Sequence, residues 1–297
     1  MNADYNIHMR YRLTHVRGLS EQGSAQVANQ DRWGHVDDAV WVIDGATNLD
    51  KISVSPCGDD GEWIASALND FLLGVKWSDY ASIADVVREA IIALRRQYMT
   101  WLDLAANKPS TRPSAAIAIV RRVGNSGLEY FVLGDCSITI LDPIAKTDQY
   151  FTNEDIMALD AAAISELAGL MKSGLSFSEA RQGISDTLTK NRNLMNTPGG
   201  YWVVSLDPEV PKHATQGKIE NVRRLEIMLA SDGFSRFWDL FKISEQGWES
   251  YAAAKTDGLH RTLDRLRKTE RADADMNQYP RFKISDDASV AICRFGQ

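Results

Sequence analysis

The stretch VWVIDGATN, residues 40–48, sets an unbroken apolar run directly before an Asp-Gly pair. The run of Val, Trp and Ile indicates a buried strand, and Asp44 ends it. Burying a carboxylate is costly unless it is paired or binds a metal ion. Gly45 lets the backbone come close, so its carbonyl can also serve as a ligand. The stretch therefore raises the hypothesis of a metal site, with ordinary Asp-Gly turn chemistry as the alternative.

Three more junctions of an apolar strand and a turn carry aspartates. Asp135 ends YFVLGD, Asp232 follows IMLAS, and Asp286-Asp287 precedes ASVAICRF. Carboxylates that converge at one sheet edge repel each other unless a cation neutralises them. Mg²⁺ and Mn²⁺ prefer oxygen ligands of this kind. Each junction alone fits a turn, but four together favour a metal site.

Hydrophobic periodicity divides the chain into groups of strands and pairs of helices. Amphipathic patterns predict helices over residues 61–75 and 79–105, and further helices within 153–190 and 240–270. The turn residues 124–127, Gly-Asn-Ser-Gly, predict a hairpin. Strands are predicted over 9–19, 39–44, 113–123, 127–135, 136–142, 199–207, 224–232 and 288–295.

This order of elements predicts an α+β fold of antiparallel sheets with helices packed outside them. The chain shows no internal repeat or Pro/Ser-rich linker, so we expect residues 1–297 to form a single domain.

Composition narrows the class of protein. The 297 residues are 44% hydrophobic and 25% charged, as in soluble globular proteins, and the net charge of −7 disfavours a general nucleic-acid binder. Cys57, Cys136 and Cys293 are odd in number and widely spaced, which indicates neither a disulfide framework nor a thiolate zinc site. Because there is no signal peptide and no run of ~18 apolar residues, we expect a cytoplasmic protein without a membrane partner.

Five short motifs occur in a fixed order. They resemble those of the metal-dependent serine/threonine phosphatases of the protein phosphatase 2C type, from about Leu13 to the C-terminus, and suggest a divergent, bacterial-like member. The resemblance implies an α-β-β-α sandwich, with two central antiparallel sheets flanked by helix pairs and residues 150–195 as a helical flap-like insertion. The motifs are Asn29-Gln30-Asp31, Val42-Ile43-Asp44-Gly45, Leu133-Gly134-Asp135-Cys136-Ser137, Ala230-Ser231-Asp232-Gly233 and Asp286-Asp287-Ala288-Ser289-Val290.

The resemblance further implies a centre of two divalent cations, Mg²⁺ or Mn²⁺, at one end of the sandwich. A water that bridges the two ions would attack phosphorus directly, without a phosphoenzyme, on phosphoserine or phosphothreonine of a protein. The partners would be the phosphorylated protein and a cognate Ser/Thr kinase. By this resemblance, Asp44 would bridge the two ions and the Gly45 carbonyl would bind one of them. Asp232 and Asp286 would complete the ligand shell of the other ion. Asp31 would hold metal-bound water, and Asp135 would border the position of a third metal ion.

The sequence departs from the family pattern at three places. Ala46-Thr47-Asn48 replaces His-Gly-Gly, and the missing His is the usual general acid, whose contribution is typically about 10²–10⁴-fold. Gln26 stands where an Arg usually grips phosphate, so Arg17 and Arg32 become candidates, with a solvated surface Arg as the alternative. Arg236 replaces an Asp, which disfavours a third metal and suggests a contact with substrate phosphate.

Three functions remain open from the sequence. The first is an active metal-dependent protein phosphatase. The second is a catalytically weak or inactive phosphatase-like domain that binds or regulates a partner, motivated by the loss of the His and the Arg. The third is a metal-dependent hydrolase of a small phosphate ester.

Overall fold

The computed structural model describes residues 11–46, 48–50, 52–220 and 223–296; Thr47, in the stretch that follows Gly45, lies outside them. The strands are β1 (Arg12–Glu21), β2 (Asp31–Val36), β3 (Ala39–Ala46), β4 (Ser114–Val123), β5 (Gly127–Leu133), β6 (Ser137–Asp142), β7 (Thr147–Phe151), β8 (Thr215–Ile219), β9 (Arg224–Ala230) and β10 (Ala288–Gly296). The α-helices are α1 (Asp60–Gly74), α2 (Ile83–Leu104), α3 (Glu154–Lys172), α4 (Phe177–Gly183), α5 (Ser185–Asn193), α6 (Asp232–Ser235), α7 (Trp248–Ala252) and α8 (Leu259–Ala272).

The strands form two five-stranded sheets. One has the order β1-β10-β9-β6-β7 and the other β2-β3-β4-β5-β8, and the neighbouring strands are antiparallel. The predicted hairpin is the β4–β5 pair, in which Val123 lies opposite Gly127. Helices cover the outer faces of the sheets, so the predicted α+β sandwich of two antiparallel sheets is confirmed.

Strand β3 is buried on both faces, which explains its unbroken apolar run. Val40 and Val42 pack between the two sheets. Trp41 and Ile43 point the other way and pack with α1 and α2. This alternation is the period of two that a pleated strand imposes. Each fully buried aliphatic side chain contributes about 1.5–3 kcal/mol, so β3 is anchored in the core up to Asp44.

The other sheet is covered by the C-terminal helices, where Leu263 and Leu266 of α8 pack on Met228 and Ile292. Helices α3, α4 and α5 differ, because a small separate cluster lies among them, formed by Leu167 of α3, Ala180 of α4 and Ile184 between α4 and α5. In the described part of the chain, none of the helices combines the length and the apolar character needed to cross a bilayer.

The prediction of a strand over residues 199–207 was wrong. This segment makes one isolated bridge to β4, in which the amides of Ala115 and Val204 each donate to the other's carbonyl at 2.9 Å. Ala115 lies beyond Ile117, where the pairing of β4 with β5 ends, so only a short free edge of β4 is available to the segment.

Candidate functional site

Asp31 and Asp44 face each other across the β2–β3 pair. Asp31 is 1% exposed, and neither of its carboxylate oxygens has a hydrogen-bond partner within the described ranges. The amide of Gly45 donates to the carbonyl of Gln30 at 3.1 Å, which ties the end of β3 to the residue before Asp31. The strand pairing therefore brings together two carboxylates that are 13 positions apart in sequence.

Gly45 is required by the close approach of its neighbours. A Cβ at this position would lie 2.4 Å from the carbonyl oxygen of Gly61 and 2.8 Å from that of Gln30. The first turn of α1 thus packs directly on the end of β3, and a larger residue would displace Asp44.

The Ser231-Asp232-Gly233 turn is fastened to the start of β10. The Ser231 amide donates to the Ser289 carbonyl, and the Ser289 amide donates to Ser231 Oγ, both at 2.9 Å. A Cβ on Gly233 would lie 1.9 Å from the carbonyl oxygen of Asp287. This packing places Asp232 next to the Asp286-Asp287 pair.

Asp286 and Asp287 have different surroundings. Asp287 accepts hydrogen bonds from the backbone amides of Gly23 at 2.8 Å and Gln30 at 2.7 Å, so it fixes the loop before β2. Asp286 instead lines a pocket of about 410 Å³. The structure thereby distinguishes the two neighbours, of which Asp286 is the predicted ligand.

The pocket brings together side chains from the sheet ends and from the helices α3–α5. Asp44, Asp135, Asp232 and Asp286 all line it, whereas Asp31 lies buried beside Asp44. We call the side chains of α3, α4 and α5 that line this pocket the helical wall. Its polar members are Asp160, Arg181, Asn191 and Arg192.

Burial and mutual repulsion disfavour ionisation of several of these carboxyls. Burial raises the pKa of Asp31 to about 8, helped by the charges of Asp287, Asp232 and Asp286, although the nearby Ser231 side chain opposes the shift. Burial also raises the pKa of Asp44 well above its ordinary value, with Asp31 as the next cause. Asp135 is shifted in the same direction by burial and by Asp232. A cation among these groups would relieve the repulsion.

Asp286 is shifted in the opposite direction because two cationic side chains bind it. Arg236 Nη2 lies 2.7 Å from Asp286 Oδ2, and Lys283 Nζ lies 2.6 Å from Oδ1. Although burial opposes the shift, these two cations hold the pKa of Asp286 below its ordinary value. Asp286 is thus neutralised from within the chain.

The donor set fits a hard divalent cation on the Asp31–Asp44 side. Two buried oxygens of an ionised carboxylate without a hydrogen-bond donor are costly unless a cation binds them, and oxygen donors suit Mg²⁺ and Mn²⁺. Among the residues that the structure describes, no three Asp, Glu, His or Cys side chains are already arranged to hold a metal ion. Asp286, on the other side, faces Arg236 and Lys283.

The pocket lining that follows Gly45 in sequence is held by Asp60, a buried carboxylate that was not singled out in the sequence. Asp60 accepts hydrogen bonds from Tyr98 Oη at 2.7 Å, Ser53 Oγ at 2.6 Å and Asn48 Nδ2 at 3.3 Å. This network holds Asn48 against the pocket, while Ala46 contributes only a methyl group to the lining.

The candidate phosphate-binding arginines separate into two groups. Arg236 lines the pocket, whereas Arg17 and Arg32 do not. Arg17 is exposed on β1, and Arg32 donates to the backbone carbonyls of Asn29 and Asp31 at 2.6 and 2.7 Å. Cys136 is buried next to Asp135, and burial raises the pKa of its thiol well above the ordinary value, as expected of a structural residue.

Four charged pocket residues were missed in the sequence: Asp160, Arg181, Arg192 and Lys283. The first three lie on helices whose sequence carries none of the five family motifs, and their position depends on how α3–α5 fold over the sheet ends. Lys283 carried a weak signal, since it stands three residues before Asp286.

Neither a family model nor a curated protein matches the sequence. Solved structures do match the fold. The serine/threonine phosphatase PstP/Ppp of Mycobacterium tuberculosis is 14% identical over 96% of this chain and 100% of its own, with a TM-score of 0.55. The catalytic domain of a serine/threonine protein phosphatase PstP in complex with two manganese ions gives 13% identity, coverage of 97% of this chain and 100% of its own, and a TM-score of 0.54.

PppA, a regulatory component of the type VI secretion system of Pseudomonas aeruginosa, is 10% identical over 96% of this chain and 98% of its own, with a TM-score of 0.53. At these identities the likeness concerns the fold. The chain has the fold of the bacterial PPM-type serine/threonine phosphatases, and the predicted resemblance is confirmed at that level.

Proposed function

We propose that this chain, with the fold of the PPM-type phosphatases, is a phosphoprotein phosphatase that uses two divalent cations, Mg²⁺ or Mn²⁺, to hydrolyse phosphoserine and phosphothreonine. The observation that supports the proposal is the convergence of Asp44, Asp232 and Asp286 on one pocket, beside the buried, unpartnered oxygens of Asp31. When bound, such ions supply an activated water and neutralise charge on phosphoryl oxygens.

The proposal gives the residues of the pocket separate roles in binding the cations and the substrate. Asp31, Asp44, the Gly45 carbonyl, Asp232 and Asp286 would hold the cations, and Asp135 would border a third position. Arg236 would contact the substrate phosphate from the pocket wall. In the reaction, a water oxygen bonds to phosphorus, the ester P–O bond breaks, and the alcohol leaves with a proton. Ala46 has no proton to donate, so in this proposal water protonates the leaving group.

The alternative is a weak or inactive phosphatase-like domain that binds a phosphoprotein or a cognate kinase. Two observations favour it: the methyl group of Ala46 where a proton donor was expected, and the engagement of both Asp286 oxygens by side-chain cations. A hydrolase of small phosphate esters is the third candidate, since a pocket of about 410 Å³ also accommodates a small ester.

Turnover measurements separate these functions. Hydrolysis of p-nitrophenyl phosphate and of a phosphothreonine peptide is measured with Mn²⁺ for the wild type and for Asp232→Ala. We expect the wild type to turn over both substrates. In Asp232→Ala we expect the turnover rate to fall by about 10²-fold or more, because the cation that Asp232 would hold no longer stabilises the negative charge on the phosphoryl oxygens.

The matched control is Asp103→Ala, which removes an exposed carboxylate on α2 and should leave turnover unchanged. No turnover of either substrate would favour the binding domain. Turnover of the small ester alone would favour the third candidate. Full activity in Asp232→Ala would show that the pocket is not the active site.

A further inference from the structure

Asp286 already has two cationic partners supplied by the chain. Its Oδ2 accepts from the guanidinium of Arg236 and its Oδ1 from the ammonium of Lys283. Bonds of this kind between ionised groups are roughly twice as strong as neutral hydrogen bonds. A divalent cation that uses Asp286 must therefore compete with two positive charges for the same carboxylate.

The two cationic side chains are held differently. The Arg236 side chain is 12% exposed, and its Nη1 lies 3.7 Å from Glu270 Oε1. Glu270 is itself held by Arg267 Nη1 at 2.8 Å, so Arg236 belongs to a buried charge network. Lys283 has a side chain that is 53% exposed on the rim of the pocket. Lys283 can leave Asp286 for solvent, whereas Arg236 is anchored.

The opposite side of the site has no such competitor on Asp31. Both Asp31 oxygens are buried and lack a hydrogen-bond partner in the described ranges. The two halves of the site therefore differ in the cationic side chains with which a metal ion must compete.

We infer that Arg236 and Lys283 act as internal competitors of one of the two cations, so that the ions bind in two unequal steps. This inference rests on the proposed function for the presence of two ions. The first ion binds on the Asp31–Asp44 side. The second binds with Asp232 and Asp286 only when Lys283 releases Asp286, and the fixed charge of Arg236 keeps its affinity low.

The size of the effect follows from Coulomb's law. A divalent ion and a single charge about 5 Å apart repel each other enough to weaken binding by about tenfold, even with the screening of bulk water. We therefore expect wild-type protein to bind a first Mn²⁺ about tenfold or more tightly than a second. Lys283→Gln should tighten the second step by about tenfold and leave the first within about threefold.

The test is a calorimetric titration of the full chain with Mn²⁺, supported by electron paramagnetic resonance of the free ion. Lys283→Gln is the main variant because its exposed side chain can be replaced without loss of packing. Lys283→Arg keeps the positive charge and should behave like the wild type. Lys76→Gln, an exposed lysine paired with Asp79, makes the same change in net charge away from the site and should change neither step.

The outcomes separate this inference from the proposed function. Two equal steps in the wild type, or a second step that Lys283→Gln leaves unchanged, overturns the inference even if the protein is an active phosphatase. Unequal steps that Lys283→Gln brings together support it, even if no phosphate ester is turned over. Absence of Mn²⁺ binding in the wild type overturns both.

Discussion

The pairing of Asp31 with Asp44 concentrates negative charge in a buried place. Two ionised carboxyls at this place repel each other, and burial deprives Asp31 of solvation by water. The raised pKa of about 8 for Asp31 therefore means that the fold disfavours the ionised form. At this scale, ion binding and folding stability are linked through the same group.

Asp31→Asn should reduce the pH dependence of stability in the metal-free protein. Between the ordinary pKa of 3.8 and about 8, the folded state holds a proton that the unfolded state releases, so stability falls as pH rises through this window. At pH 8.5 the variant should melt at a higher temperature than the wild type, by about 2–4 °C for each kcal/mol by which the substitution raises the free energy of unfolding. This difference in melting temperature should shrink toward pH 5.

Melting curves in EDTA between pH 5 and pH 9 provide the measurement. Asp103→Asn on the surface of α2 should keep the wild-type slope. If Asp31→Asn also keeps that slope, Asp31 is ionised without penalty and the repulsion described for it is absent.

At the residue scale, the sequence singled out aspartates at the junctions of strands and turns. Asp44, Asp135, Asp232 and Asp286 lie at such junctions, and the structure places all four on one pocket. Lys283 and the helical wall were missed, because their position depends on the packing of distant segments rather than on local pattern. Their roles, like those of the aspartates, stay predictions until the proposed variants are measured.

The Ser231-Asp232-Gly233 turn, which follows β9, packs against the start of β10 and holds the two segments together. Gly233→Ala should destabilise the protein by about 1–3 kcal/mol, because the added methyl group collides with the Asp287 carbonyl and forces the two segments apart. Urea unfolding of the metal-free protein measures the change.

Gly169→Ala is the matched control for this substitution. Gly169 lies within α3 and has open space around the position of an added Cβ, so the change should stabilise the protein by about 0.5–1 kcal/mol. Equal effects of the two substitutions would contradict the close approach seen at Gly233.

Element-level prediction failed mainly at the edges of the sheets. Strands β2, β7 and β8 were not predicted, and each is an edge strand in its sheet. Their sequences, DRWGHV, TDQYF and TQGKI, are largely polar, as edge strands often are, so hydrophobic alternation is weak in them. The central strand β3 was found because both of its faces are buried.

On the scale of the whole molecule, the pocket lies between two regions that are packed differently. The carboxylates lie on or next to strands of the main core, whereas the helical wall belongs to helices with a small cluster of their own. Amide hydrogen exchange should therefore be faster in α3–α5 than in β3 and β4, since local opening there exposes less apolar surface. Equal protection in both regions would show that α3–α5 are part of the main core.

The position of β10 has a consequence for how the protein is made. This strand lies between β1 and β9, so its sheet is completed by a segment that leaves the ribosome long after β1. Pairing of such distant segments is slow, because a large loop must close before any contact is gained. Asp287 at the start of β10 also fastens the loop before β2. A nascent chain that lacks β10 therefore has an incomplete sheet beside the carboxylate cluster, and the proposed phosphatase activity would arise only after synthesis has passed this strand.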